Sequence, residues 1–233
     1  NIYIKIMKKI LITGADGYIG YSLYKFLKKK HHVLGLDKNN DNNKETYKIN
    51  LLDKKKLSNF LKQLKPEIVL HLAGYSTIDN INNKQSYIKN NIQATKNLIK
   101  EMKNNKIKKI IFSSTAAVYN GKNRRELFTE NSILKPNNIY GSTKLSSEKI
   151  IKKNKIKYVI FRFFNVCSSM PNLSVGENHK PETHLIPLSI KKALKNKTFN
   201  IYGENYTTPD GKCVRDYIHI KDICRTFKKY KYF

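Results

Sequence analysis

Cysteine is scarce. Cys167, Cys213 and Cys224 are the three in 233 residues, odd in number and without C-x-x-C spacing, which excludes a disulfide framework and offers no zinc site. No metal is expected, and a reducing cytoplasm fits the chain. Long apolar runs are missing too: no stretch approaches the roughly 20 apolar residues that span a bilayer. The opening Asn1–Lys9 mixes lysine with isoleucine and has no small-residue cleavage site, so a soluble chain without a membrane partner is expected. Acidic residues number 17 against 46 Lys and Arg, a formal charge of +29. Such a charge raises nucleic acid as a partner through counterion release. The lysines, however, are spread with asparagine and isoleucine over every predicted helix, in short runs such as Lys28–Lys30 and Lys54–Lys56. They describe a solvated surface instead of a basic stripe, and no specific nucleic-acid partner is expected.

What is present is 39% apolar residues, enough for one α/β core with a smaller appendage and too few for two complete domains. Short β-branched runs alternate with polar-faced helical stretches, the pattern of βαβ units and a parallel sheet. Ile10–Thr13, Val33–Asp37, Ile68–Ala73, Ile110–Ser114 and Tyr158–Phe164 read as strands covered on both faces. Tyr18–Lys30, Lys54–Leu64, Lys84–Asn104 and Tyr140–Lys153 carry apolar residues at helical spacing. After Asn165 the spacing predicts a helix near His184–Leu194, strands near Phe199–Tyr202 and Val214–Ile220, and a basic-aromatic tail from Lys228 without a place in the core. The fold expected is therefore α/β, a Rossmann-type doubly wound parallel sheet over residues 7–165 with a small C-terminal unit over 166–233.

Gly14-Ala15-Asp16-Gly17-Tyr18-Ile19-Gly20 follows an apolar strand and opens a helix. That context marks a dinucleotide turn: glycine permits the tight bend and a close approach of the backbone to pyrophosphate, while the helix start supplies N–H groups. Asp37 ends the second strand, where a carboxylate accepts from a ribose hydroxyl and repels a 2′-phosphate, so NAD is favoured over NADP. Tyr140 and Lys144 are four residues apart and share one face of a helix. A tyrosine acting as base near neutral pH needs its pKa lowered from about 10, and a neighbouring ammonium has the right sign. Tyr140 is the candidate base, Lys144 its activator and a holder of the nicotinamide ribose, and Thr115, at the end of the fifth strand, the partner of the substrate hydroxyl. His71, without a partner carboxylate or second histidine at ligand spacing, reads as structural.

The glycine spacing G-x-x-G-x-x-G with the Tyr/Lys pair resembles the extended short-chain dehydrogenase/reductases. Val69–Gly74, Asn90-Asn91-Ile92, Phe161–Val166, Glu182–Pro187 and Asp210–His219 narrow the resemblance to the nucleotide-sugar 4-epimerases, above all those interconverting UDP-galactose and UDP-glucose. The resemblance implies NAD held by Gly14, Gly17, Tyr18, Ile19, Gly20 and Asp37, by Asn50, Leu51, Leu72, Ala73 and Gly74, and by Asn91, Ser113, Tyr140, Lys144 and Phe164. It implies a UDP-hexose held by Thr115, Tyr140, Asn165, His184, Leu185, Tyr202 and Arg215. The implied reaction is redox-neutral epimerisation through a 4-keto sugar, in a homodimer paired through the helices at Lys84–Asn104 and Tyr140–Lys153. Asn50 stands where the family usually has aspartate. Family members continue beyond Asp222, so the C-terminal unit is expected to be incomplete and activity impaired, and residues before Met7 are expected to lie outside the native start. Two other readings share the turn and the pair. One is a nucleotide-sugar 4,6-dehydratase, which needs Asp-Glu where this chain has Ala116-Ala117; the other is a catalytically inert NAD-binding module.

Overall fold

The computed structural model describes residues 7–41, 45–76, 83–119, 127–170, 175–177, 182–201 and 203–230. In chain order its elements are β1 (Lys9–Thr13), α1 (Tyr18–Lys28), β2 (His32–Asp37), β3 (Thr46–Lys48), α2 (Lys54–Leu64) and β4 (Ile68–His71). There follow α3 (Lys84–Tyr87), a π-helical segment (Ile88–Gln93), α4 (Ala94–Asn104), β5 (Lys109–Thr115), a 3₁₀ turn (Ala116–Val118) and α5 (Ile139–Lys153). The chain continues through β6 (Lys157–Phe163), β7 (Asn165–Cys167), α6 (Leu185–Ala193), β8 (Tyr217–His219) and α7 (Ile220–Tyr230).

Six strands form a parallel sheet in the order β3-β2-β1-β4-β5-β6, and β7 pairs with β8 in a separate parallel ribbon. Strand order reverses between β1 and β4, which are neighbours with Thr13 opposite His71. The carboxyl ends on either side of that switch open the crevice where α/β sheets bind ligands. Successive strand side chains point to opposite faces, and the core divides accordingly. Leu11, Val69 and Ile110 pack with Leu57, Leu61, Leu98 and Met102 of α2 and α4 on one face. Ile10, Ile12, Leu70 and Ile111 pack with Leu23 and Leu27 of α1 on the other.

The structure corrects two sequence expectations and adds a helix that the sequence reading does not predict. The predicted helix Lys84–Asn104 is interrupted by the π-helical turn, whose wider backbone brings the Asn91 carbonyl within reach of the hydroxyls of Thr95 (2.6 Å) and Ser147 (3.0 Å). Residues 199–201 are not a strand: Phe199 and Ile201 are exposed, and no described strand lies beside them to accept a ladder. Helix α7, which the spacing does not predict, belongs in the core up to Phe227, while Lys228–Tyr230 at its end are exposed. Ile220, Ile223, Cys224 and Phe227 recur at i, i+3, i+4, i+7, and all four are fully buried. Phe227 meets the Phe161 ring edge-on at 5.2 Å, and each such side chain contributes roughly 2 kcal/mol. The lysines at the end of α7 had hidden this face from a reading by composition.

Candidate active site

The glycine turn is shaped by three separate constraints. Gly14 has φ +74°, and a Cβ there would lie 2.6 Å from the Ala73 nitrogen. At Gly20 a Cβ would lie 1.9 Å from the Gly14 carbonyl oxygen, so helix α1 sits hard against the turn. Gly17 differs: its Cβ would meet protein no nearer than the Gly14 oxygen at 3.5 Å, leaving its outer side open. Gly17 is also the N-cap of α1, without a side-chain cap and with no acidic residue in the first turn. The first N–H groups and positive dipole end of α1 are thus offered to an anion. Asp37 borders the same turn. Its oxygens accept from the backbone N–H of Asp16 (3.1 Å) and Asn39 (3.2 Å), and burial raises its pKa against those bonds. Each oxygen retains a lone pair for a ribose hydroxyl. The cradle fits a dinucleotide.

Across the switch point, Asn138 caps α5 by accepting from Gly141 N–H at 2.7 Å. A Cβ on Gly141 would lie 2.2 Å from the Ala117 oxygen, so the start of α5 is pressed onto the 3₁₀ turn that follows Thr115. The result sets Tyr140 and Thr115 together on one wall, near enough for the Thr115 hydroxyl to favour the phenolate. One turn on, Lys144 is buried, donates to the Ser113 carbonyl at 2.8 Å and lies 4.9 Å over the Phe112 ring. Burial pulls Lys144 down to about 8, opposed by Glu148. Tyr140 moves against the sequence expectation: burial pushes it up to about 12, with the nearby Thr115 hydroxyl acting in the opposite sense. The protein alone does not activate the phenol, because desolvation outweighs Thr115 and the ammonium is aimed at Ser113, 6.0 Å from the tyrosine ring centre.

The turn and Tyr140 open on one cleft of about 2150 Å³, roughly twice the upper end of ordinary small-ligand pockets (~300–1,000 Å³), with room for a dinucleotide and a second nucleotide together. Of the sequence-predicted cofactor residues, Gly14, Gly17, Tyr18, Ile19, Gly20, Asp37, Asn50, Leu51, Leu72, Ala73, Gly74, Ser113, Tyr140 and Phe164 border it. Lys144 lies beneath the wall. Asn91 does not reach the cleft: it is buried, its Oδ1 accepts from Tyr75 N–H at 2.6 Å, and its Nδ2 donates to the Tyr75 carbonyl and the Thr143 hydroxyl. Its carboxamide is committed to holding the loop after β4 against α5. Tyr18 reaches across to the Ser168 carbonyl, and Asn50 turns its oxygen to the Leu52 N–H at 2.9 Å.

On the substrate side, Thr115, Asn165, His184, Leu185 and Arg215 all border the cleft; Tyr202 lies outside the described residues. Asn165 is fixed by donating its side-chain amide to the Asp216 carbonyl at 2.9 Å, which places it beside Arg215. His184 pairs through Nδ1 with Glu177, and that bond raises its pKa. Sequence reasoning missed Glu148, Arg162 and Tyr119. Arg162 donates to both oxygens of the fully buried Glu148 (3.0 and 2.9 Å) and to the Tyr119 hydroxyl (2.9 Å). An arginine inside an otherwise apolar strand run was the available signal. Among the described residues no cluster of His, Cys, Asp or Glu is placed to hold a metal, and no helix is long and apolar enough to cross a membrane.

A doubly wound sheet with an open anion turn at its switch point and a Tyr/Lys pair facing it defines a dinucleotide-binding α/β protein. The chain belongs to the NAD-dependent epimerase/dehydratase family, whose sequence pattern it matches over residues 10–230. It is 36% identical over 229 residues to UDP-glucose 4-epimerase of Lactobacillus helveticus, covering 92% of this chain and 69% of that protein. Among solved structures it resembles UDP-glucose 4-epimerase of Brucella ovis in complex with NAD (TM-score 0.85, 30% identity, 93% of this chain and 70% of that one). It also resembles the Bifidobacterium longum enzyme in complex with NAD+ and UDP (TM-score 0.82, 29% identity, 93% and 71%).

Proposed function

We propose that the protein is an NAD-dependent 4-epimerase of a UDP-hexose, interconverting UDP-galactose and UDP-glucose. The observation that carries this reading is the placement of Tyr140 and Thr115 together on the wall of a cleft that the phosphate turn and Arg215 also border. The named activity of the relatives supports it. The turn from Gly14 to Gly20 would hold the pyrophosphate, and Asp37 the adenosine ribose, where its carboxylate disfavours a 2′-phosphate. NAD held there would supply the hydride acceptor and donor that a redox-neutral inversion at the sugar C4 requires.

The chain's own residues handle protons and position. Tyr140 receives the 4-hydroxyl proton and gives it back, with Thr115 sharing the hydrogen bond. Lys144 holds a ribose hydroxyl and offsets the phenolate charge, which brings Tyr140 down from the elevated value that burial alone imposes. Arg215, whose guanidinium stays charged and can grip phosphate oxygens in pairs, would anchor the diphosphate with Asn165, while His184 and Leu185 would border the uridine. That anchor lets the sugar turn over without release. The dehydratase alternative lacks its acid and base, because Ala116 and Ala117 follow Thr115. The two-part division at residue 165 and a homodimer through residues 84–104 and α5 belong to the same proposal, the dimer being checked by light scattering.

The test is conversion of UDP-galactose to UDP-glucose with NAD supplied, while reduced-nicotinamide absorbance is followed on the protein. Conversion is expected. Bound NAD without conversion of any UDP-hexose would replace the reading with a non-catalytic cofactor-binding protein.

A further inference from the structure

Glu148 follows Lys144 by one turn of α5, as Lys144 follows Tyr140, so the three share one helix face. Each faces the end of β5. Tyr140 stands by Thr115, Lys144 donates to the Ser113 carbonyl, and Glu148 Oε1 accepts from the Ser114 hydroxyl at 2.5 Å. Ser114 is the direct cross-strand partner of Arg162 on β6. Arg162 grips both Glu148 oxygens, and the two side chains are 13% and 1% exposed; Lys152, half-exposed, is 3.9 Å away. A carboxylate so deeply buried is tolerated because both oxygens are engaged by an ion and a hydroxyl together.

We infer that Glu148 is a positioning residue of the Tyr140–Lys144 site: clamped by the cross-strand pair Ser114 and Arg162, it sets the register of α5 on β5 and keeps a negative charge one turn from the Lys144 ammonium. The inference rests on reading Tyr140 and Lys144 as the reactive pair. Lys144 is faced by Tyr140 and Glu148 from its own helix, by His71 from β4, by the Ser113 carbonyl and Phe112 ring from β5, and near Gly74 by the Asn91 amide. His71 is held neutral by burial, and Tyr140 keeps its proton near neutral pH. Glu148 is then the negative charge among these described groups, and it is the group that opposes the loss of the Lys144 proton.

The experiment compares wild type, Glu148→Gln and the pair Glu148→Gln with Arg162→Met, which removes the cation that the single change strands. Thermal unfolding is measured, together with the titration of the Lys144 amine by NMR of its Cε in the cofactor-free protein, assigned through Lys144→Arg, and turnover against pH. The double variant is expected to regain most of the melting temperature that the single one loses. In both, Lys144 should titrate at lower pH than in wild type, the alkaline limb of kcat should move the same way, and kcat should fall by about 10²-fold, the scale of an ångström-level misplacement. A folded double variant whose Lys144 titrates as in wild type, or whose kcat recovers with its stability, would overturn the inference and leave Glu148 a structural ion. If wild type converts no UDP-hexose, the functional reading fails, and the amine titration still decides the role of Glu148.

Discussion

The hydroxyl of Thr13 lies 2.7 Å from Nδ1 of His71 and joins the ends of β1 and β4 at the strand switch. The Thr95 hydroxyl spends its one hydrogen on the Asn91 carbonyl and can only accept from the ring, so the ring proton sits on Nε2 and Nδ1 accepts from Thr13. Nε2 faces the Thr95 hydroxyl at 2.9 Å, which in turn donates to the Asn91 carbonyl at 2.6 Å. The tautomer assigned by this run of donors leaves His71 no free nitrogen for a ligand, in keeping with its structural reading.

Replacing His71 by leucine takes one hydrogen bond from each of two buried hydroxyls, Thr13 and Thr95, and should cost about 3 kcal/mol in urea unfolding at pH 7. Burial, with Lys144 adding to it, holds the folded pKa at about 3 against an ordinary 6.5. The unfolded chain therefore takes up a proton that the fold refuses. This contribution is intact above pH 6.5 and is lost as pH falls toward 3, at about 1.4 kcal/mol per unit. Wild type should lose about 2 kcal/mol more than His71→Leu between pH 6.5 and 5. Equal losses would show that His71 does not stay neutral.

Tyr140→Phe should reduce turnover by about 10²–10⁴-fold while NAD affinity, measured by calorimetry, stays at the wild-type value. Without cofactor the phenol is held near 12, so no phenolate absorbance attributable to Tyr140 should appear at pH 9. Full activity in the variant would remove Tyr140 from the proton path.

Gly17 and Gly20 should fail in different ways. Gly17→Val points into open space and should keep the wild-type melting temperature while abolishing NAD binding. Gly20→Ala drives a methyl to 1.9 Å from a backbone oxygen and should lower the melting temperature itself. Tight NAD binding by a folded Gly17→Val protein would place the pyrophosphate elsewhere.

Asp37→Asn keeps one of the two oxygens that accept from the Asp16 and Asn39 N–H groups and removes the charge that repels a 2′-phosphate. The ratio of NADP to NAD affinity should rise by about tenfold, the equivalent of 1.4 kcal/mol. An unchanged ratio would take Asp37 out of the ribose site.

The helical and sheet periods made the parallel core legible, because Ile10–Thr13, Ile68–His71 and Ile110–Ser114 are apolar on both faces and could be nothing but covered strands. The turn and the Tyr140–Lys144 pair were legible because glycine spacing and a four-residue interval are written locally. The bonds of Asn91 were not legible for the opposite reason: a π-helical turn has no composition of its own, and within it the carboxamide is engaged by Tyr75 and Thr143. The Glu148 clamp depends on the register that sets Ser114 beside Arg162, 48 positions along the chain, and no local pattern encodes a register. The elevated Tyr140 pKa likewise follows from packing at Gly141, which one-dimensional spacing does not measure.

Helix α7 covers a face that also contains β1 and α1, so Ile223 and Leu23 share one core although almost the whole chain separates them. On the ribosome, six strands emerge before the residues that cover this face, and a nascent chain long enough to build the entire sheet still shows Phe161 and Phe163 to water. Closing so long a loop is slow, though its length adds only logarithmically to the entropy involved. The last part of the face to be sheltered is thus its apolar rim beside the edge strand, and during synthesis that rim is where a chaperone would find its grip.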